Sequence, residues 1–136
     1  MSVSRTWRAI PEHYNLTGVS CTACGQHHFP HRDVCRSCGD TVLRPHRFEG
    51  KGKIVTFTII RTQGTGDTDT AEIPARDVPY ILAVIELDEG PKLTAQIVDC
   101  DETDVAIGQR VDMVFRKIME RGVQGVIHYG YKFRLV

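Results

Sequence analysis

Four cysteines stand in two CxxC pairs, Cys21 and Cys24 in CTACG and Cys35 and Cys38 in CRSCG. Each pair occupies a short turn that closes on a glycine, which lets two thiolates face one ion while backbone amides donate to the sulfurs. Two such turns complete a tetrahedral shell. Because four thiolates leave no open coordination position, the site is expected to stabilise the fold rather than to activate water. Zinc is the expected ion, although an all-thiolate shell of this kind also holds iron in rubredoxins. His27, His28 and His31 lie between the pairs. With the ligand count already filled they are expected to face solvent, the alternative being that one of them hydrogen-bonds a ligand sulfur. The fifth cysteine, Cys100, ends a strand-like run just before DETD with no base in register, and reads as a small, partly buried side chain rather than a nucleophile. His128 and Asp104 come nearest to acid–base residues in the second half, but a general base must be oriented by a neighbour and neither has one at a useful spacing. No catalytic residue is assigned, and the chain is expected not to be an enzyme.

The elements that must position this site follow from the texture of the chain. At 136 residues there is room for one compact domain and a small appendage. Five runs, 53–61 (KIVTFTIIR), 80–87 (YILAVIEL), 92–98 (KLTAQIV), 110–118 (RVDMVFRKI) and 130–136 (GYKFRLV), are rich in β-branched and aromatic residues and several alternate in polarity, which predicts a small five-stranded barrel. Asp88, Glu89, Gly90 and Pro91 form a turn signal that joins the second and third runs as an antiparallel hairpin. The polar stretch 63–78 is long enough to be either a recognition loop or simply disordered. Near the N-terminus, residues 4–14 predict a short helix interrupted at Pro11, with Trp7, Ile10 and Tyr14 on one side. These readings divide the chain into a helical lead over 1–18, a zinc ribbon over 19–48 and a barrel over 49–136, mainly β overall. Acidic and basic residues balance at 17 each, so no global field draws the chain to nucleic acid or to an anionic membrane. No run is long and apolar enough for a membrane span or a secretory signal, and two CxxC pairs outside a secreted context favour metal ligation over disulfides, so a cytoplasmic protein is expected.

Taken in order, the lead, the passage with Phe29, Pro30, Arg32, Cys35 and Cys38, the segment GKIVTFT over 52–58, the PYILAVIEL strand and IGQRVDMVF with Gly108 before a strand resemble the family of rubredoxin-like zinc-ribbon and OB-fold proteins associated with acyl-CoA metabolism. Met113 stands where that family's recurring element has a second Val, a conservative departure. The resemblance covers nearly the whole chain. It implies an OB-fold barrel, a structural zinc and no catalytic machinery. It also implies partners: members sit beside thiolases or related enzymes, and the sequence is similar to the archaeal branch that bridges acetoacetyl-CoA thiolase and hydroxymethylglutaryl-CoA synthase in the mevalonate route to isoprenoids. Coenzyme A is a further candidate ligand, with this chain lining a channel for the intermediate. Its phosphates would call for Arg or Lys, and the first half of the chain offers Arg5, Arg8, Arg32, Arg36, Arg44, Arg47, Lys51 and Lys53, each of which also reads as ordinary solvated surface. Trp7 and Tyr14 are candidates for interface anchors or for packing on the chain's own core.

Three other readings compete. A hydratase-type accessory subunit differs only in partner and reaction. A single-strand nucleic-acid binder would need aromatics stacked in a basic groove, with Phe57, Tyr80, Phe115, Tyr129, Tyr131 and Phe133 as candidates, and is disfavoured by the neutral charge balance. An electron carrier would require iron in place of zinc.

Overall fold

The computed structural model describes residues 3–62, 78–120 and 123–136. Two short helices, α1 (Val3–Arg8) and α2 (Ile10–Asn15), lead into eight strands: β1 (Thr17–Cys21), β2 (His27–His28), β3 (Leu43–Arg47), β4 (Lys51–Ile60), β5 (Tyr80–Leu87), β6 (Lys92–Val98), β7 (Arg110–Glu120) and β8 (Ile127–Leu135). The first three strands form a small sheet in the order β2-β1-β3, and the remaining five close into a barrel in the order β4-β5-β6-β8-β7. This is the five-stranded OB-fold expected from the sequence, preceded by the ribbon that carries the cysteines. The long stretch singled out at 63–78 lies, over 63–77, outside the described residues.

The helical lead differs from expectation in one respect. The helix breaks at Ala9, two residues before Pro11, and Pro11 falls in the first turn of α2. A proline lacks the N–H that would bond back to Trp7, four residues earlier, yet fits the first turn of a new helix, where that N–H has no intrahelical acceptor in any case. Pro11 therefore starts the second helix instead of ending the first. Leu16, in left-handed backbone, closes α2 and its side chain is fully buried in the main core.

Alternation builds the barrel interior. Along β5, Ile81, Ala83, Ile85 and Leu87 are buried while their neighbours are less so, and Leu93, Ala95 and Ile97 do the same along β6. Successive side chains of a strand point to opposite faces, so one register buries one apolar set. Between these strands the Asp88–Pro91 turn is a tight hairpin, with Leu87 N–H on Pro91 O at 2.9 Å and Gly90 in left-handed backbone. A register shift between Ile54 and Thr56 bends β4, the usual effect of an extra residue on one strand. Its first residues can then pair with β7 as well as β5. Just ahead of β7, Gly108 takes positive φ and donates to Ile54 O at 2.8 Å, while Ile54 N–H reaches Gln109 O at 2.9 Å. That turn fastens the start of β7 onto β4 and closes the barrel. The final closure, a parallel pairing of β6 with β8 through Ile97 and Phe133, has no local sequence signal.

Ribbon and barrel share one core. Leu16 before β1 and Phe48 after β3 are buried in the same cluster as Ile54, Ile85, Val111 and Phe133, and Phe29 packs against it. Phe48 N–H also donates to Leu16 O at 3.1 Å, which ties the two ends of the ribbon together where it meets the barrel.

Candidate metal centre

The two cysteine turns are copies of one another. In the first, Gly25 N–H donates to Cys21 O at 3.0 Å and Cys21 N–H to Gln26 O at 2.9 Å; in the second, Gly39 N–H donates to Cys35 O at 3.0 Å and Cys35 N–H to Asp40 O at 2.8 Å. Both glycines are left-handed, at φ 73° and 77°, a conformation costly to a residue with a Cβ. Each turn thus presents two sulfurs from one short loop. The four Sγ atoms lie within 4.8 Å of one another, with Cys21 to Cys38 and Cys24 to Cys35 each at 3.6 Å. A tetrahedral zinc with Zn–S bonds of about 2.3 Å holds its sulfurs about 3.8 Å apart, so the donor set and its spacing fit that ion. Burial alternates across the set: Cys21 and Cys35 face inward, Cys24 and Cys38 outward.

Electrostatics within the cluster point the same way. The Cys38 backbone amide, followed by the His28 ring, holds the Cys35 thiol down to about 5. Cys38 accepts from the Asp40 amide, which favours its thiolate, but the crowding of Cys21, burial and the other two sulfurs push it up to about 12. One sulfur readily carries charge while its neighbour resists a second. A divalent cation at the centre removes that conflict, because it favours every thiolate at once.

The three intervening histidines part company. His31 is exposed beside Asp33, as expected of a loop histidine. His28 is half-buried with Nε2 at 3.3 Å from Cys35 Sγ, so the alternative of a hydrogen bond to a ligand sulfur holds for this one. His27 is also half-buried; its ring stacks on His46 at 4.3 Å, and its Nδ1 is buried with no hydrogen-bond partner. For these two the expectation of solvent exposure is corrected, because β2 pairs with β1 and lays the residues between the ribbon and Phe48.

A residue that sequence reasoning passed over joins the ribbon to the barrel. Glu89, read only as part of a hairpin turn, receives His46 Nε2 at 2.8 Å on one oxygen and the Glu49 N–H at 2.9 Å on the other. The partners are forty or more positions apart in sequence, and no short motif foretells the contact.

The remaining candidates fall outside the centre. Cys100 is half-buried against the core, and its thiol is pushed up by burial first and then by Asp104, Asp101 and Asp99, the opposite of what a nucleophile needs. Asp104 caps a single 3₁₀ turn over Glu102–Asp104 by accepting from Asp101 N–H, and His128 sits across from Met119 on β8. All eight basic candidates in the first half are exposed; Lys51 pairs with Glu49 and Lys53 with Glu86. Of the six aromatics weighed for base stacking, Phe133 is buried in the core, Phe57, Tyr80 and Tyr131 are half-buried, and Phe115 and Tyr129 stack on each other. Trp7 points outward at 74% exposure, while Tyr14 packs edge-on against Phe115 at 5.2 Å. Among the described residues no helix is long and apolar enough to cross a membrane.

Comparison with known proteins agrees with this architecture. Residues 8–44 match the family described as the ChsH2 rubredoxin-like zinc ribbon domain, and residues 46–116 match the ChsH2 C-terminal OB-fold domain. A DUF35 domain-containing scaffold protein of Methanothermobacter thermautotrophicus is 46% identical over 131 residues, covering 96% of this chain and 93% of that one. A protein of the same description from Pyrococcus furiosus is 41% identical over 98% of this chain and 93% of its own length. Among solved structures, the Ltp2-ChsH2(DUF35) aldolase superposes with a TM-score of 0.71 at 21% identity, over 97% of this chain and 92% of that one. A DUF35-family protein from Sulfolobus solfataricus gives a TM-score of 0.55 at 15% identity over the full length of both chains. At these identities the solved structures speak for the fold alone. The zinc ribbon, the OB barrel and the whole-length likeness to the archaeal proteins together make this chain a member of the DUF35 family, with ChsH2-type ribbon and OB-fold domains.

Proposed function

We propose that this protein is a non-catalytic cytoplasmic scaffold, in which Cys21, Cys24, Cys35 and Cys38 hold a structural zinc and the ribbon and barrel dock different enzymes of acyl-CoA metabolism. The observation that carries the reading is the likeness, across nearly the whole chain, to archaeal proteins named as scaffolds. The metal centre supports it from the chemical side, since four thiolates close the coordination sphere and zinc there stabilises structure. In this reading 1–18 is a lead, 19–48 a rigid docking knob built around the metal, and 49–136 a second contact surface.

The partners we propose are acetoacetyl-CoA thiolase and hydroxymethylglutaryl-CoA synthase of the mevalonate pathway. Condensing two acetyl-CoA molecules is thermodynamically uphill, so a synthase held beside the thiolase draws the reaction forward by consuming its product. Proximity alone raises the effective concentration of the intermediate, as it does for linked binding sites. Coenzyme A would contact the scaffold where the intermediate passes between the two enzymes. The test is co-expression of tagged chain with both enzymes from the same genome, followed by affinity capture and a metal assay. Recovery of both enzymes with zinc is expected. Recovery of neither overturns the scaffold reading, and recovery of a different acyl-CoA enzyme from the native host would make this chain its accessory subunit.

A further inference from the structure

The hairpin of β7 and β8 extends well past the barrel. β4 pairs with β7 only through Lys51–Lys53 and Arg110–Asp112, and β6 pairs with β8 only through Ile97 and Val98. From Val114 to Glu120 and from Ile127 to Lys132, the two strands therefore pair only with each other among the described residues. A two-stranded ribbon by itself is marginally stable in water. On one side α2 supports this arm, with Tyr14 edge-on to Phe115 and to Tyr129, and His13 O close to Gly130.

Beside those contacts the arm keeps apolar surface. Phe115 is 47% and Tyr129 38% exposed, their rings stacked 13° from parallel at 5.5 Å, and Ile118 and Ile127 on the same two strands are exposed as well. Both cations on the arm's β7 strand are paired: Arg116 bonds Asp99, outside the arm, at 2.8 Å and Lys117 bonds Glu120 at 2.9 Å. A surface for nucleic acid needs uncompensated cations, whereas the centre of a protein interface is depleted of charge and enriched in aromatics. The backbone edge is unpaired as well among the described residues. Met113 N–H reaches Gly50 O at 2.8 Å. By the two-residue alternation of a strand, the amides of Phe115 and Lys117 point the same way, beyond the last residue of β7 that β4 pairs with. Among the described residues, Phe115 O there accepts the Arg116 guanidinium, at 3.2 Å.

From a strand edge unpaired among the described residues, an aromatic stack and paired β7 cations we infer that the β7 edge from Phe115 to Glu120 receives an extended apolar segment of a partner enzyme, which adds to the arm as a further strand. This inference rests on the scaffold reading. Strand addition draws affinity from main-chain hydrogen bonds and specificity from the flanking side chains, and both are present here in one place.

The test uses the same co-expression with the thiolase and the synthase. Ile118→Asp removes apolar contact, Lys117→Pro removes one outward N–H that the β7–β8 ladder does not use, and Lys117→Ala removes the side chain while keeping that N–H. Zinc content and thermal midpoint report on folding. Capture of one enzyme is expected to fall about tenfold or more with Ile118→Asp and Lys117→Pro and to be retained with Lys117→Ala. Amide exchange in the wild-type complex should show new protection at Phe115 and Lys117. Full capture by both disruptive variants, or unchanged exchange on the arm, overturns the inference while leaving the scaffold reading intact. Light scattering that shows the purified chain pairing through the arm would assign the edge to a second copy and overturn it too. If wild-type chain captures neither enzyme, both readings fall together.

Discussion

Between Thr17 and Arg47 the ribbon buries Val19 and two cysteine side chains, whereas the barrel lines its interior with Ile54, Ile81, Ile85, Leu87, Leu93, Ile97, Val111 and Phe133. Two regions of one short chain are thus held by different physics. The barrel draws on apolar area removed from water, worth about 25 cal/mol per Å², while the ribbon has too little such area and relies on ligand bonds to one ion. Structural zinc in small peptides contributes apparent values of about 10–16 kcal/mol, enough to fix a fold that its own core could not. The difference explains why the cysteine turns are near-duplicates of each other while the barrel strands share only alternation. Coordination demands particular atoms at particular distances, and burial demands only shape and apolarity.

The contrast can be broken most forcefully at the metal. Cys35→Ser should abolish stoichiometric zinc and strip amide protection from residues 17–47 while the barrel amides of β5 and β6 keep theirs; metal analysis and hydrogen exchange on one sample check both halves. Loss of protection throughout would show that the barrel depends on the ribbon. Next in size, Phe133→Ala removes a fully buried ring at the parallel β6–β8 closure and should cost about 3–5 kcal/mol. A denaturant titration should show that loss with zinc content unchanged. Smaller again, Glu89→Ala deletes the clasp to His46 and to Glu49 N–H. About 1–2 kcal/mol is expected, together with faster exchange at Glu49, and no change at Glu49 would mean that Leu16 and Phe48 alone set how the ribbon sits. The smallest effect lies at the barrel rim, where Arg110 grips Asp88 through two 2.6 Å bonds and, chiefly by that hydrogen bonding, holds its carboxyl below the ordinary value of 3.8. A carboxylate lowered on folding stabilises above its unfolded pKa, and that contribution is lost as pH falls through the folded value. Asp88→Asn should therefore slightly flatten the acid limb of the stability curve below about pH 4 and leave neutral-pH metal binding alone.

Legibility followed the range of the interactions. The grouping of the four cysteines was readable because CxxCG is a local device whose turn, glycine and sulfurs all lie within five positions. β5 and β6 were readable to the residue, since alternation and the turn between them are local as well. β8 begins at Ile127, three residues before the predicted run, because its first part belongs to the arm, where the alternation of a core face no longer holds. The expectation of solvent exposure held for His31 but failed for His27 and His28, since their surroundings are supplied by β1, His46 and Phe48.

By itself the sequence determined the cysteine cluster, the five barrel strands and the β5–β6 hairpin, because each rests on contacts between near neighbours or on a period of two. Only the tertiary structure decided that His28 reaches the Cys35 sulfur, that Glu89 clasps the ribbon, that β6 meets β8 in parallel and that the β7–β8 arm, among the described residues, carries an aromatic edge that no other strand pairs. These features join residues far apart along the chain, and the free energy that selects them comes from closing the barrel and seating the ribbon on it, which no local pattern encodes.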